Sequence, residues 1–441
     1  MTQCTFNKKG ANVKERENFV TEDAKSFGRL FNTPLIELMK MSKEKLLLLH
    51  AEAGTIPYDK LTRFVKDMLN IKNHAVGYPL NQTFELRDFY RWFLESGLCD
   101  IHLNNVGNPR KESILPFNTH KFENDVIDYF AYLLGFDKDD YWGIVTHSGT
   151  DGNMHAMYFG VNYLKSKIGS KNLPVVYVSE EAHYSIKRIA DVMNLEIKLI
   201  PGLPMGQMDI NVFEKVLDPL KPALVVIAIG TTFKGAIDDH KSILEIIERK
   251  KPPAYYIMLD AALFGGYLPF TKHRDIINRK KIFYHSIAVS GHKFFGSDEP
   301  MGIFITGKEV FDAQNPFKVG YLNDAVPTIT CSRSALGALK FWWQLTRNGE
   351  KEYERQASHI LETAQYLKRK LDELNYPVWL NPMSNTVFFK RPVDWIMKKW
   401  DLAPEYDERF GGPLAHEIIM QHENKKTVDE FIADMKKILG K

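Results

Sequence analysis

The chain has 441 residues, 44% of them hydrophobic and 26% charged, enough to bury a large core and to divide into more than one domain. A formal net charge of +3 is small for this length and the lysines are dispersed, so composition gives no electrostatic case for nucleic acid or an anionic membrane. No apolar run of about twenty residues occurs, so no membrane-spanning helix is expected.

Taken in order, the chain opens on a polar, charged stretch, Met1 to Arg16, which lacks the apolar core of a secretory signal. Cys4, Cys99 and Cys331 show neither paired spacing nor a metal-ligand pattern, so a reducing, cytoplasmic setting and no bound metal are expected. Residues 43–53 and 62–69 have helical spacing with lysines on the wet side, and residues 1–76 are read as an arm with helices that serves packing or subunit contact. Gly77-Tyr78-Pro79-Leu80-Asn81-Gln82 and Asn104-Asn105-Val106-Gly107-Asn108-Pro109 are extended, turn-rich loops. Residues 122–134 carry aromatic and aliphatic side chains at the spacing of a core helix.

From 141 to 306, short apolar strands alternate with amphipathic segments. The strands are expected at 142–146, 174–178, 195–200, 223–229, 256–259, 286–290 and 302–306, a pattern that predicts an α/β domain over 77–330 with a mostly parallel sheet wrapped by helices. After Cys331 the spacing predicts helices at 336–348 and 351–374, a strand at 385–389 and a terminal helix at 428–439. These make a smaller α+β domain over 331–441.

Four polar clusters each follow one of the apolar runs: Ser148-Gly149-Thr150-Asp151-Gly152-Asn153, Gly230-Thr231-Thr232, Asp260-Ala261-Ala262 and Ser290-Gly291-His292-Lys293. Strand carboxyl ends of an open α/β sheet border one crevice, so the four can converge on one ligand. Each has a simpler reading by itself: a helix cap for Ser148 or Thr150, an N-cap for Asp260, and a surface lysine beside a chance histidine for Lys293. Together they suggest pyridoxal phosphate, which needs a lysine for its aldehyde, a carboxylate for its pyridinium nitrogen and a phosphate cup. Gly149, with Ser148 and Thr150, would admit the phosphate at a helix start. Ala262 leaves room for one face of a flat ring, and His183, in Ala182-His183-Tyr184-Ser185, could stack on the other and take part in proton transfer.

These clusters, with Thr231-Thr232-Phe233-Lys234-Gly235-Ala236-Ile237-Asp238-Asp239, resemble in order the group II pyridoxal-phosphate-dependent amino-acid decarboxylases, nearest the bacterial histidine and plant-type serine branch. The resemblance runs from about Gly77 to the C-terminus. It implies an aspartate-aminotransferase-like fold of type I, a homodimer with shared active sites, and a small amino-acid substrate. Lys293 would hold the cofactor aldehyde and Asp260 would pair the pyridinium nitrogen. His183 would stack on the ring, with Ala262 on its other face. Gly149, Thr150, Ser290 and His292 would surround the phosphate, and Thr231 would lie near the ring hydroxyl or His183. Gly320-Tyr321-Leu322-Asn323 resembles the family's mobile loop, which makes Tyr321 the candidate acid at Cα.

Two segments depart from the family pattern. Cys331-Ser332-Arg333-Ser334-Ala335-Leu336 lacks the usual asparagine and histidine, and Asn108 stands where the serine branch favours aspartate, so pocket shape and specificity are expected to differ. The implied activity is α-decarboxylation of an L-amino acid, histidine ahead of serine. The alternatives are a transaminase, an aldehyde-forming oxidative decarboxylase, or a non-catalytic scaffold, against which the joint presence of Lys293, Asp260 and His183 argues.

Overall fold

The computed structural model describes residues 56, 58–72, 74–169, 172–316, 318–320 and 324–440. The chain forms two compact units, Met1–Met68 and Leu69–Lys441. Most of helix α1 (Tyr58–Ile71) belongs to the first; it contains the expected 62–69 helix and exposes Leu61, Phe64 and Val65. The helix expected at 43–53 lies outside the described residues.

The second unit is built on a seven-stranded sheet: β1 (Tyr141–Thr146), β2 (Val175–Ser179), β3 (Ile197–Ile200), β4 (Ala223–Ala228), β5 (Tyr255–Asp260), β6 (Ser286–Ser290) and β7 (Gly302–Gly307). Their order is β1-β7-β6-β5-β4-β2-β3, and only β7 runs antiparallel to its neighbours. The central strands read as unbroken apolar runs because both faces are covered. Successive residues of β4 and β5 enter opposite cores, Val225, Ile227, Ile257 and Leu259 on one side, Leu224, Val226, Tyr256 and Met258 on the other. On the second side lies helix α2 (Gly149–Ile168), where a Cβ at Gly160 would stand 2.6 Å from the Tyr256 ring, so glycine permits the close approach.

Helix α2 starts at Gly149, five residues before the apolar spacing at 154 announces it. The reason is local: Ser148 Oγ accepts the Asp151 N–H at 3.3 Å and caps the helix, so the glycines are its first turn rather than a preceding loop.

A second, antiparallel sheet has the order β8 (Val378–Leu380), β9 (Thr386–Lys390), β11 (Gly412–Ile418), β10 (Ala403–Asp407). Helix α3 (Ala335–Glu373) is capped by Ser334, whose hydroxyl accepts the Gly337 N–H at 2.9 Å. It breaks at Gly349, with φ 71°, in the gap between the two helices expected at 336–348 and 351–374. Helix α4 (Lys425–Leu439) covers the same sheet through Phe431, which packs on Phe389. Among the described residues, no helix is long and apolar enough to cross a membrane.

Candidate active site

The parallel register brings the strand ends together. Ala228 of β4, Asp260 of β5 and Ala288 of β6 are aligned partners, so the residues that follow β4 and β6 emerge beside Asp260 at one edge. Ser290 N–H donates to Ala262 O at 2.9 Å and fixes the lysine loop against the aspartate loop. Beyond β6 the chain makes one wide π-helical turn, His292–Gly296, which carries Lys293. Three amides hold that turn from behind: Asn81 Nδ2 and Gln421 Nε2 donate to Phe294 O at 2.9 and 2.6 Å, and Gln344 Nε2 donates to Gly296 O at 2.8 Å.

A cavity of about 650 Å³ lies at this edge. It is lined by Ser148, Gly149 and Thr150 from the start of α2, by His183 after β2 and by Thr231 after β4. Asp260 and Ala262 line it from β5, and Ser290, His292 and Lys293 from β6. Every described residue that the sequence assigned to the cofactor therefore borders one space; Tyr321 lies outside the described residues.

Burial lowers the Lys293 pKa and Asp260 partly opposes that, which favours the neutral, nucleophilic amine. The amine makes no hydrogen bond or ion pair with the described residues. Asp260 is buried, and Ala262 N–H at 3.4 Å is the one hydrogen bond its carboxylate makes among them. Burial also lowers the His183 pKa, with Asp260 opposing and Lys293 reinforcing the shift. His183 Nδ1 lies 2.8 Å from Ser185 Oγ and 3.3 Å from Ser185 N, so Ser185 holds that edge of the ring. His292 Nδ1 lies 2.8 Å from Met301 O, which leaves Nε2 for a ligand. Thr231 Oγ1 accepts the Ala236 N–H at 2.9 Å and keeps its own proton to donate.

These residues fit pyridoxal phosphate. A lysine amine and a buried carboxylate with, among the described residues, no partner and one long hydrogen bond respectively share a cavity with the N-terminus of a 20-residue helix. A Cβ at Gly149 would lie 2.3 Å from Ser290 Oγ, so the absence of a side chain keeps that corner open for an anion.

The sequence did not reveal the opposite wall. Thr386 of β9, Glu405 of β10, and His416 and Ile418 of β11 line the cavity from the four-stranded sheet. Residues i and i+2 of a strand share a face, which puts His416 and Ile418 side by side. His416 Nδ1 and Nε2 lie 2.8 Å from Phe233 O and 3.0 Å from Gly77 O. Gly77, Tyr78 and Pro79 line the cavity, as expected of their loop, but Asn108 does not. Its Oδ1 accepts Trp142 Nε1–H at 2.9 Å instead. None of the six residues from Cys331 to Leu336 lines this chain's cavity. Arg333 is buried against Glu123, with Nη2 3.0 Å from Oε2.

Comparisons with known proteins agree with this chemistry. A family model described as the pyridoxal-dependent decarboxylase conserved domain matches residues 121–390. Histidine decarboxylase of Solanum lycopersicum is 35% identical over 382 residues, spanning 85% of this chain and 87% of that protein. Serine decarboxylase 1 of Oryza sativa subsp. japonica is 31% identical, with 85% and 74% covered. Histidine decarboxylase of Acinetobacter baumannii (strain ACICU) is 31% identical, with 86% and 94% covered. Among solved structures, L-methionine decarboxylase from Streptomyces sp. 590, in its internal aldimine form, superposes with a TM-score of 0.74 at 21% identity, over 88% of this chain and 97% of that one. Glutamate decarboxylase of Lactobacillus brevis CGMCC 1306 gives 0.71 at 17%, over 88% and 94%. At such identities these two structures speak for the fold alone.

Proposed function

This chain belongs to the pyridoxal-dependent decarboxylase family, and from that premise we propose that this amino-acid decarboxylase acts on L-histidine, releasing histamine and carbon dioxide, with L-serine the second candidate. One observation carries the preference. Besides Asp260 and Lys293, the charged side chains lining the cavity are Glu180, Glu181 and Glu405, all carboxylates, of which Glu181 is already paired with Lys234 and Arg409. Such a wall suits a side chain that is neutral or can become cationic, and opposes an acidic one. An imidazole also uses the room that a hydroxymethyl group would leave empty.

When bound, the cofactor supplies an electron sink for the pair left at Cα when carbon dioxide departs. Lys293 would hold the cofactor aldehyde. Asp260 would pair the pyridine nitrogen, and His183 and Ala262 would line the two faces of the ring. Gly149, Thr150, Ser290 and His292 would anchor the phosphate, and Thr231 would donate toward the ring hydroxyl or His183. Tyr321 is our candidate for returning the proton to Cα. The same proposal includes a cytoplasmic homodimer with shared active sites. Exposed apolar side chains, among them Trp92, Leu94 and Phe117, offer surface for that contact, and sedimentation equilibrium would measure it.

The test is carbon dioxide release from the protein loaded with pyridoxal phosphate, across the common amino acids, with the organic product identified by mass. Histamine from histidine, absent in Lys293→Ala, is the expected result. Ethanolamine from serine alone would replace the substrate; an aldehyde or keto acid would replace the reaction.

A further inference from the structure

The loop that ends in His183 is tied to two other parts of the chain by buried charges. Glu181 Oε1 accepts Lys234 Nζ at 2.7 Å and Arg409 Nη2 at 2.8 Å. Lys234 Nζ also reaches Asp407 Oδ2 at 2.7 Å, and Arg409 Nη2 closes the ring on that oxygen at 2.6 Å. Two cations and two carboxylates leave the cluster neutral. The Lys234 and Asp407 side chains are only 1% and 7% exposed, so the network has an interior centre and reaches the surface at Arg409.

Three segments meet there: the loop after β2 that carries His183, the loop after β4 that carries Thr231, and the end of β10 in the four-stranded sheet. Among the described residues the two loops share a single backbone hydrogen bond, Thr232 N–H to Glu181 O, and at 3.4 Å it is long. The firm link is the Lys234 ammonium. Its own backbone is fixed, because Asn381 Nδ2 donates to Lys234 O at 2.8 Å. The surroundings are shaped for the cluster as well. A Cβ at Gly202 would stand 2.4 Å from Glu181 Cγ, and Arg409 Nη1 donates to the Gly202 carbonyl.

We propose that Glu181, Lys234, Asp407 and Arg409 form an electrostatic latch that holds the four-stranded sheet against the His183 and Thr231 loops and so sets both residues in the cavity. Glu181 and Lys234 are positioning residues, acting through their neighbours. A buried ammonium shared by two carboxylates cannot shift without leaving a charge unpaired, which makes the latch stiff where a hydrogen bond alone would not be. The inference rests on the placement of His183 against the cofactor proposed above.

The experiment compares full-length wild type with K234M, K234R, R409Q and H183A. K399M serves as a control, because it breaks the Lys399–Asp434 ion pair, whose residues do not line the cavity. Amide hydrogen exchange is followed in apo-protein peptides spanning 180–186 and 230–236, with visible circular dichroism of the bound cofactor and steady-state kinetics of the loaded enzyme. K234M should speed exchange in both peptides by roughly tenfold, reduce the visible signal, and raise KM about tenfold with kcat changed less than about threefold. K234R should restore most of the protection. R409Q, at a half-exposed position, should show the same pattern more weakly and decides the matter if K234M does not fold. K399M should lower the thermal midpoint and leave exchange, signal and KM alone. Unchanged exchange and KM in K234M or R409Q, or equal changes in K399M, would overturn the latch. H183A separates the two layers. If it leaves the visible signal at its wild-type value, the placement of His183 fails and the inference falls with it; if it alters the signal while K234M does not, the latch alone is wrong.

Discussion

Replacing Asp260 with asparagine keeps shape and one acceptor oxygen but removes the charge. The carboxylate closes β5, is 6% exposed, and has only the 3.4 Å bond from Ala262 N–H among the described residues. Nothing among the described residues therefore competes strongly for it, and a protonated ring nitrogen would be its main partner. A hydrogen bond to a charged group contributes roughly 1.5–3 kcal/mol. Since about 1.36 kcal/mol is a factor of ten in rate, Asp260→Asn should lower kcat roughly 10- to 150-fold. The assay is carbon dioxide release at saturating cofactor and amino acid, with bound cofactor measured by absorbance so that lost occupancy is not counted as lost chemistry. Wild-type kcat at wild-type occupancy would refute the pairing of Asp260 with the ring nitrogen.

Three further outcomes are expected away from the chemistry or before it. Arg333→Met leaves the fully buried Glu123 carboxylate with the neutral donors Asn105 Nδ2 and Val145 N, and should cost about 3–5 kcal/mol in urea unfolding. The pair Glu123→Gln/Arg333→Met should cost clearly less than the sum of its singles, and strict additivity would count against the ion pair. Burial pushes Glu417 up to about 7 and Glu423, beside it, well above the usual carboxylate range. Both folded pKa values lie above the unfolded ones, so that stability is full below the ordinary value of 4.5, and the Glu417 part is lost as pH rises through about 7. The neighbouring His422, lowered from 6.5 to about 4, acts in the opposite sense between those values and offsets the Glu417 contribution there, so the Glu417 effect stands alone only above pH 6.5. Glu417→Gln should flatten the fall in thermal midpoint across neutral pH, and an unchanged slope would contradict it. Burial lowers the Lys293 pKa, so its protonated form costs stability in the apo-protein at low pH, a cost that vanishes above the ordinary value of 10.5. Lys293→Met should raise the apo-protein's thermal midpoint near neutrality, and a lower midpoint would argue against a destabilised ammonium.

The strand-end half of the site was legible because its signals are local. A strand buried on both faces is a short apolar run, and the residue that breaks it, Asp260 or Ser290, stands out in the sequence. The apolar spacing shows α2 only from Met154, because Gly149 and Gly152 carry no side chain to mark its first turn, and the start is set by one hydroxyl, Ser148, which the sequence offers as a cap. The wall formed by Thr386, Glu405, His416 and Ile418 was not legible. Strands β10 and β11 interleave Pro404, Glu405, Pro413 and Glu417 with apolar residues, which hides the alternation, and their approach to the cavity is set by packing between sheets. The departure at Cys331 to Leu336 was expected to alter the pocket. Within this chain its visible work is structural, with Ser334 capping α3 and Arg333 neutralising Glu123.

Borohydride reduction of the cofactor-loaded protein, followed by peptide mapping, tests most directly that the converging strand ends form the cofactor site around Lys293. The reduced pyridoxyl group should sit on Lys293 and be absent from Lys293→Ala. A label on any other lysine, or undiminished labelling of the variant, would contradict it.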